Sequence, residues 1–309
     1  MPLTALPAFC VLLLIADNTT VEQRPPEPQF LHSIVADAVR RTQAQFPNEN
    51  LRDDEVAVTV IDLSDPSRPR SGSFRGDQPI YPASVVKLFY LAATHQWLHD
   101  GRLRDSEELR RMMRDMIVDS SNDATAAVVD TLTGAANGEP LPEDEMKVWV
   151  EKRNAINRYF ASLGYTGINV CQKTYAEGPY GRERVFLGPK FENRNKLTTD
   201  ATARLLDEIV QGTAVSAERS GQMMELLKRD VTKKGSDPDD QARGFIGGAL
   251  PAGSLLWSKA GWTSTARHDA AYVETPNGQK FVLVIFTTGH ANRRELLPAI
   301  AGEVLKGLR

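Results

Sequence analysis

Residues 255–288 read LLWSKAGWTSTARHDAAYVETPNGQKFVLVIFTT, and this stretch decides the fold. Its runs LLWSKAG, DAAYVET and KFVLVIFTT are rich in apolar and β-branched residues, as strands are. Pro276-Asn277-Gly278 separates the last two. Asn-Gly between such runs marks a hairpin, because both residues accept the positive φ angles of a tight turn. The chain then closes on a helical pattern from Arg293 to Leu308, with Leu296, Ile300 and Leu305 on one side.

Strand signals also stand near the other end of the chain. EVAVTVIDL at 55–63 is β-branched and nearly alternating, and SGSFRG at 71–76 follows a Pro-containing turn, so the two read as a hairpin. Ahead of them, Leu31, Ile34, Val35, Ala38 and Val39 recur at helical spacing within Phe30–Gln45. Between the two strand regions the period is helical. From Ser84 to about Leu163 apolar residues follow it, with Leu88, Leu91, Ala92 and Leu98 on one face and Asp100-Gly101 ending that segment. Gly164–Lys196 is rich in Gly, Pro, Asn and charge and reads as a long functional loop, after which helices resume at Thr199. Strands at both ends of the chain around a helical middle imply one sheet built from both termini, with a helical lobe beside it.

The bulk composition narrows the function. At 309 residues and 41% hydrophobic content the chain can bury a large core. Its 37 basic and 40 acidic residues give a net charge of −3, which supplies no electrostatic footprint for nucleic acid. The apolar run Leu6–Ala16 has the length of a signal-peptide core and is too short to span a bilayer, which points to export, although no Lys or Arg precedes it. Residues Asp17–Gln29 are polar and Pro-rich and read as a linker, so the leader and linker occupy residues 1–29 and the folded domain 30–309. With Cys10 inside the leader, the mature chain keeps only Cys171 and forms no internal disulfide.

Within Ile80-Tyr-Pro-Ala-Ser84-Val-Val-Lys87 lies Ser-x-x-Lys at a helix start. Residues three apart share a helix face, so the Lys87 amine can lie against the Ser84 hydroxyl. A serine hydroxyl is a weak nucleophile until a base takes its proton, and a lysine serves once burial or nearby cations lower its pKa. Alone, the motif is cheap, since about one is expected by chance in a chain of this length. Two further elements follow in order: Ser120-Ser121-Asn122, a Ser-x-Asn among helical residues, and Lys259-Ala260-Gly261 at the end of a strand.

These three elements together resemble the class A β-lactamases and the related penicillin-binding serine peptidases. The context resembles them too: Tyr81-Pro-Ala before the serine, Leu250-Pro-Ala-Gly before the Lys-x-Gly strand, and VLVIFTT before a terminal helix. The resemblance runs from about Phe30 to the end. It implies a two-lobed α/β fold: a five-stranded antiparallel sheet with flanking helices, about 30–80 and 215–309, and an all-helical lobe, about 84–212. It further implies that Ser84 is the nucleophile and Lys87 its base, and that Ser120 bridges Lys87 and Lys259 and protonates the leaving nitrogen. Asn122 would bind the substrate's side-chain amide and Lys259 its carboxylate. The N–H groups of Ser84 and Trp262 would form the oxyanion hole, and Gly261 would let the substrate backbone come close. The implied ligand is a small-molecule β-lactam or a peptidoglycan stem peptide, handled without cofactor or metal by a secreted or periplasmic monomer.

The chain departs from that pattern in two places. Ala260 stands where the family has a hydroxyl residue, so Thr263, Ser264 or Arg267 would have to complete the carboxylate site, with Arg267 as a clamp. The loop string Tyr180-Gly-Arg182-Glu183-Arg184-Val-Phe-Leu187-Gly lacks the family's register for a deacylating glutamate, leaving Glu183 as the candidate base ahead of Glu177 and Glu192. A rival Lys-x-Gly at 233–235 sits in a Gly/Asp/Pro loop and not on a strand edge. His95 and His99 are spaced like a metal pair but lack a third ligand, and His268 and His290 have no triad-like partner. Met112, Met113 and Met116 read as core.

Overall fold

A computed structural model describes residues 27–308 apart from 176–177, 233–236 and 238. The leader-like run, the rival Lys-x-Gly and Glu177 lie outside the described residues. Helix α1 spans Glu27–Gln45 and therefore begins inside the stretch read as linker. Pro28 is no obstacle there, because the first turn of a helix has no use for the N–H that proline lacks. Strands β1 (Val56–Asp62) and β2 (Arg70–Phe74) follow, paired antiparallel as the expected hairpin. Five helices come next: α2 (Lys87–His99), α3 (Glu107–Ile117), α4 (Asn122–Thr133), α5 (Glu143–Arg153) and α6 (Ala155–Ser162). A short α7 (Gly181–Leu187) interrupts the long loop, before α8 (Thr199–Val210) and α9 (Ala217–Leu227). The chain ends with β3 (Lys228–Arg229), β4 (Leu255–Trp262), β5 (Ala266–Glu274), β6 (Lys280–Thr288) and α10 (Leu296–Gly307).

The sheet is antiparallel with six strands in the order β2-β1-β6-β5-β4-β3. The sixth strand is β3, a two-residue edge against Trp257 and Leu256, too short to show any periodicity in sequence. Both faces of the sheet are buried. Along β6, Val282, Val284 and Phe286 join the core shared with the helices α2, α3, α4, α8 and α9, while Phe281, Leu283 and Ile285 join a second core with α1 and α10. That is why β6 reads as an unbroken apolar run: successive side chains point to opposite faces, and neither face meets water. The same alternation sorts β5, where Ala270 and Tyr272 face the helical lobe and Ala271 and Val273 face the terminal helices. In β4, Leu256 and Ala260 face the terminal helices, which turns Lys259 and Gly261 toward the helical lobe.

Candidate active site

Residues Ala83–Val86 form a 3₁₀ turn that leads into α2, and the Lys87 N–H closes it on the Ser84 carbonyl. Residues three apart in such a turn lie on the same side, so Lys87 and Ser84 share a face. Ser84 is half-buried and Lys87 has no exposed surface. Ala83 holds a left-handed φ of 47°. A non-glycine residue there costs on the order of 1 to 3 kcal/mol, and the surrounding structure must hold it.

The other polar groups come from the junction of α3 and α4. Ser121 caps α4 by accepting the Ala124 N–H at 3.1 Å, which makes Asn122 the first helical residue and leaves Ser120 in the corner with a φ of 56°. Lys87 Nζ stands 2.5 Å from the Ser120 carbonyl, 3.2 Å from Ser120 Oγ and 2.9 Å from Asn122 Oδ1. Burial lowers the Lys87 pKa from its ordinary value to about 7, which brings the free amine within reach near neutral pH. Asn122 is held in turn by donating through Nδ2 to the Tyr175 carbonyl at 2.9 Å. Ser120 and Asn122 are thus gathered on one buried amine, with Ser84 one 3₁₀ turn before it in the chain.

From the sheet side, β4 passes close to the nucleophile turn. A Cβ added to Gly261 would stand 2.6 Å from the Ser84 nitrogen, 2.8 Å from that of Val85 and 2.9 Å from the Pro82 carbonyl oxygen, so only glycine permits this approach. Lys259 is fully buried, and its Nζ donates to Gln241 Oε1 and to the Ala260 carbonyl, both at 2.7 Å. Its hydrogen bonds therefore go to Gln241, where a bridge through Ser120 was expected. Burial holds its pKa well below the ordinary value, with the charges of Lys87 and Arg229 acting in the same direction. Gln241 also donates to the Val118 carbonyl at 3.0 Å, and Arg229 donates to the carbonyls of Ile117 at 3.0 Å and Ser258 at 2.9 Å. These two side chains tie the Ser120 corner to β4. Sequence reasoning missed both, since Gln241 sits in an aperiodic loop and Arg229 on a strand two residues long.

The remaining residues named for the substrate carboxylate divide. Trp262 is 37% exposed at the strand end, its ring 5.6 Å from that of Phe245. Thr263 uses its hydroxyl to accept the N–H groups of Thr265 and Ala266, at 3.2 and 3.1 Å. Arg267, expected as a clamp, shares the face of Ala271 and Val273 and turns toward the terminal helices. It is 2% exposed, bonds Asp239 at 2.8 Å and the Gly244 carbonyl at 2.7 Å, and stacks over Phe245. The alternation of β5 therefore sends its charge into the protein and away from Lys259.

Glu183 is also committed elsewhere. It opens α7 with no exposed surface, 2.6 Å from Arg153 and 3.6 Å from Lys173, and accepts the Tyr175 hydroxyl at 2.9 Å. The half-buried Asp130 completes this cluster, 2.5 Å from Lys173 and 3.3 Å from Arg153. Glu192 is exposed and accepts the Lys190 N–H at 3.1 Å. Among the described residues Lys87 Nζ has no carboxylate partner, and the loop meets the site through the Tyr175 carbonyl.

Comparison with known proteins agrees with this fold. The sequence profile of the β-lactamase enzyme family matches residues 108–306, a span that holds Ser120, Asn122 and Lys259 and starts beyond Ser84 and Lys87. No curated protein matches the sequence significantly. Among solved structures, a β-lactamase from Sphaerobacter thermophilus is 20% identical with a TM-score of 0.62, covering 89% of this chain and 96% of that one. A β-lactamase from Chitinophaga pinensis is 17% identical with a TM-score of 0.64, covering 89% and 99%. PBP-A is 18% identical with a TM-score of 0.62, covering 90% and 96%. At these identities the likeness establishes the fold.

Proposed function

The chain belongs to the β-lactamase enzyme family, and on that premise we propose that it is an exported serine hydrolase that forms an acyl-enzyme at Ser84 with β-lactams. The observation that carries this reading is the buried Lys87 amine, with its pKa near 7, one 3₁₀ turn from Ser84 and in contact with Ser120 and Asn122. Neutral Lys87 takes the Ser84 proton as Oγ bonds to the lactam carbonyl carbon. The oxyanion is received by the N–H groups of Ser84 and Trp262, a placement supported by the contact distance between Gly261 and the Ser84 turn. When the tetrahedral intermediate collapses, the proton passes from Lys87 through the Ser120 hydroxyl to the leaving nitrogen, because an amine leaves only when protonated. Asn122 binds the substrate's side-chain amide, and Lys259, buried against Gln241, meets its carboxylate by exchanging that contact for the substrate. Water then releases the product. Mass spectrometry after incubation with benzylpenicillin tests the proposal: an adduct mapping to Ser84 and absent in Ser84→Ala is expected, and an adduct elsewhere, or none, overturns it.

One observation favours slow release as the second reading. The burial of Glu183 against Arg153 deprives the loop of its foremost candidate water base. A long-lived acyl-enzyme would suit a D-alanyl-D-alanine peptidase of peptidoglycan, or a penicillin-binding sensor, more than a fast lactamase. A solved mutant of the neighbour PBP-A is itself an acyl-enzyme complex with penicillin G. The lifetime of the adduct separates the readings.

A further inference from the structure

The turn that carries Ser84 is strained at Ala83 and passes within contact distance of β4, so something must fix its height above the sheet. Three links hold it from outside. Ile80 and Leu197 exchange backbone hydrogen bonds at 2.8 and 2.9 Å, the Arg194 guanidinium lies over the Tyr81 ring at 3.5 Å, and His268 bonds the Tyr81 carbonyl oxygen at 2.9 Å. The third link is the one that comes up from the sheet beneath the turn. His268 pairs with Gly261 across β4 and β5, and it lies on the face of Ala270 and Tyr272 that meets the helical lobe.

The partners of His268 determine its chemistry. Its Nδ1 accepts the backbone N–H of Thr287 at 3.1 Å, and a backbone N–H can only donate, so Nδ1 bears the lone pair. The ring proton is then on Nε2 and is donated to the Tyr81 carbonyl. The ring has no exposed surface, lies 4.6 Å from the Phe286 ring, and is kept neutral by burial, which pushes its pKa down to about 4. One tautomer in one orientation thus connects β6, at Thr287, to the residue three before Ser84.

We propose that His268 is a positioning residue for acylation: by linking the Thr287 N–H to the Tyr81 carbonyl it sets the Ser84 nitrogen and hydroxyl against Gly261 on β4. The inference rests on the reading of Ser84 as nucleophile. His268 touches neither substrate nor reacting atoms. It acts through the turn, so its loss slows the acylation step and leaves the binding that precedes it.

Stopped-flow acylation by a chromogenic cephalosporin, which separates the preceding binding constant from the limiting acylation rate, tests the proposal on three variants. His268→Gln keeps an amide N–H that reaches Tyr81, His268→Asn reaches only Thr287, and His268→Ala reaches neither. The limiting rate should fall about 10- to 100-fold in the Asn and Ala variants and within about fivefold in Gln, with the binding constant little changed in all three. Rates are referred to the fraction of sites that reach full adduct, so loss of folded protein does not count as loss of rate. If the Ala variant fails to fold, the Gln and Asn comparison still decides. Equal rates in Gln and Asn, or a wild-type rate in Ala, would overturn the role given to His268. A wild type that is never labelled at Ser84 would instead bring down the nucleophile assignment, and this inference with it.

Discussion

Under the proposed mechanism, Lys87 sets the pH at which this site can work. Its amine must be neutral to take the Ser84 proton, and with a pKa lowered to about 7 the neutral fraction grows as pH rises through that value. The second-order rate of acylation by benzylpenicillin should therefore climb about tenfold per pH unit below 7 and level off above it. A flat profile from pH 5 to 8 would show that Lys87 is not the base. The two cations once grouped for the substrate carboxylate should likewise part company. Arg267 is 2% exposed, bonded to Asp239 and the Gly244 carbonyl and stacked over Phe245, so Arg267→Ala strips a packed side chain while Asp239 keeps Arg294, and it should cost about 1 to 3 kcal/mol of stability while sparing the acylation rate per folded site. Lys259→Ala should lower the acylation rate per folded site by at least about tenfold. A single series of melting and labelling measurements on the two variants checks both. The identity of Arg267 was visible in sequence, but its direction was not, because one residue of strand register decides which face a side chain takes.

At the scale of elements, the strongest sequence signals were those enforced by burial on both sides. β6 lies between two cores, and its apolar run admits no other reading. The hairpin of β1 and β2 carries an equally local signal, in its alternation, whereas the turn at Ser84 reads in sequence as the start of a helix and is a 3₁₀ turn that leads into one at Lys87. The elements that escaped are short ones whose existence depends on distant partners: β3 exists because Trp257 and Leu256 offer it an edge, and α7 because Arg153 and Tyr175 receive Glu183. Gly261 belongs with the legible class, and it gives the sharpest test of how two elements meet. Gly261→Ala would put its methyl against three backbone positions of the Ser84 turn at 2.6 to 2.9 Å, where no side chain can move aside. Either β4 or the turn must shift, at a cost of about 1 to 3 kcal/mol, and acylation should slow by at least about tenfold. Unchanged melting temperature and labelling rate in Gly261→Ala would mean that β4 and the Ser84 turn do not meet at Gly261.

Across the whole molecule, the site is divided between bodies that fold for different reasons. The helical lobe supplies Lys87, Ser120 and Asn122, the sheet supplies Lys259 and Gly261, and Gln241 and Arg229 fasten one to the other. The acylation proposed above draws on all of these. Deacylation needs a further base for water, and the long loop that would carry it is anchored through the cluster of Glu183, Arg153, Lys173 and Asp130. Since loss of a positioned base slows its step by about 10²- to 10⁴-fold, acyl-enzyme should accumulate, and benzylpenicillin should give a pre-steady-state burst equal to the concentration of sites. Glu183→Gln tells whether the carboxylate serves the fold or the water. As an anchor, its loss breaks a buried ion pair, lowers stability by about 3 to 5 kcal/mol and leaves the deacylation rate of the remaining folded protein within about threefold of wild type. As a base, its loss leaves the burst intact and slows the steady state by at least about 100-fold, which would restore the fast-lactamase reading. Rapid wild-type turnover with no burst would show that a competent base lies elsewhere, and segment 176–177 of the loop would be the first place to substitute.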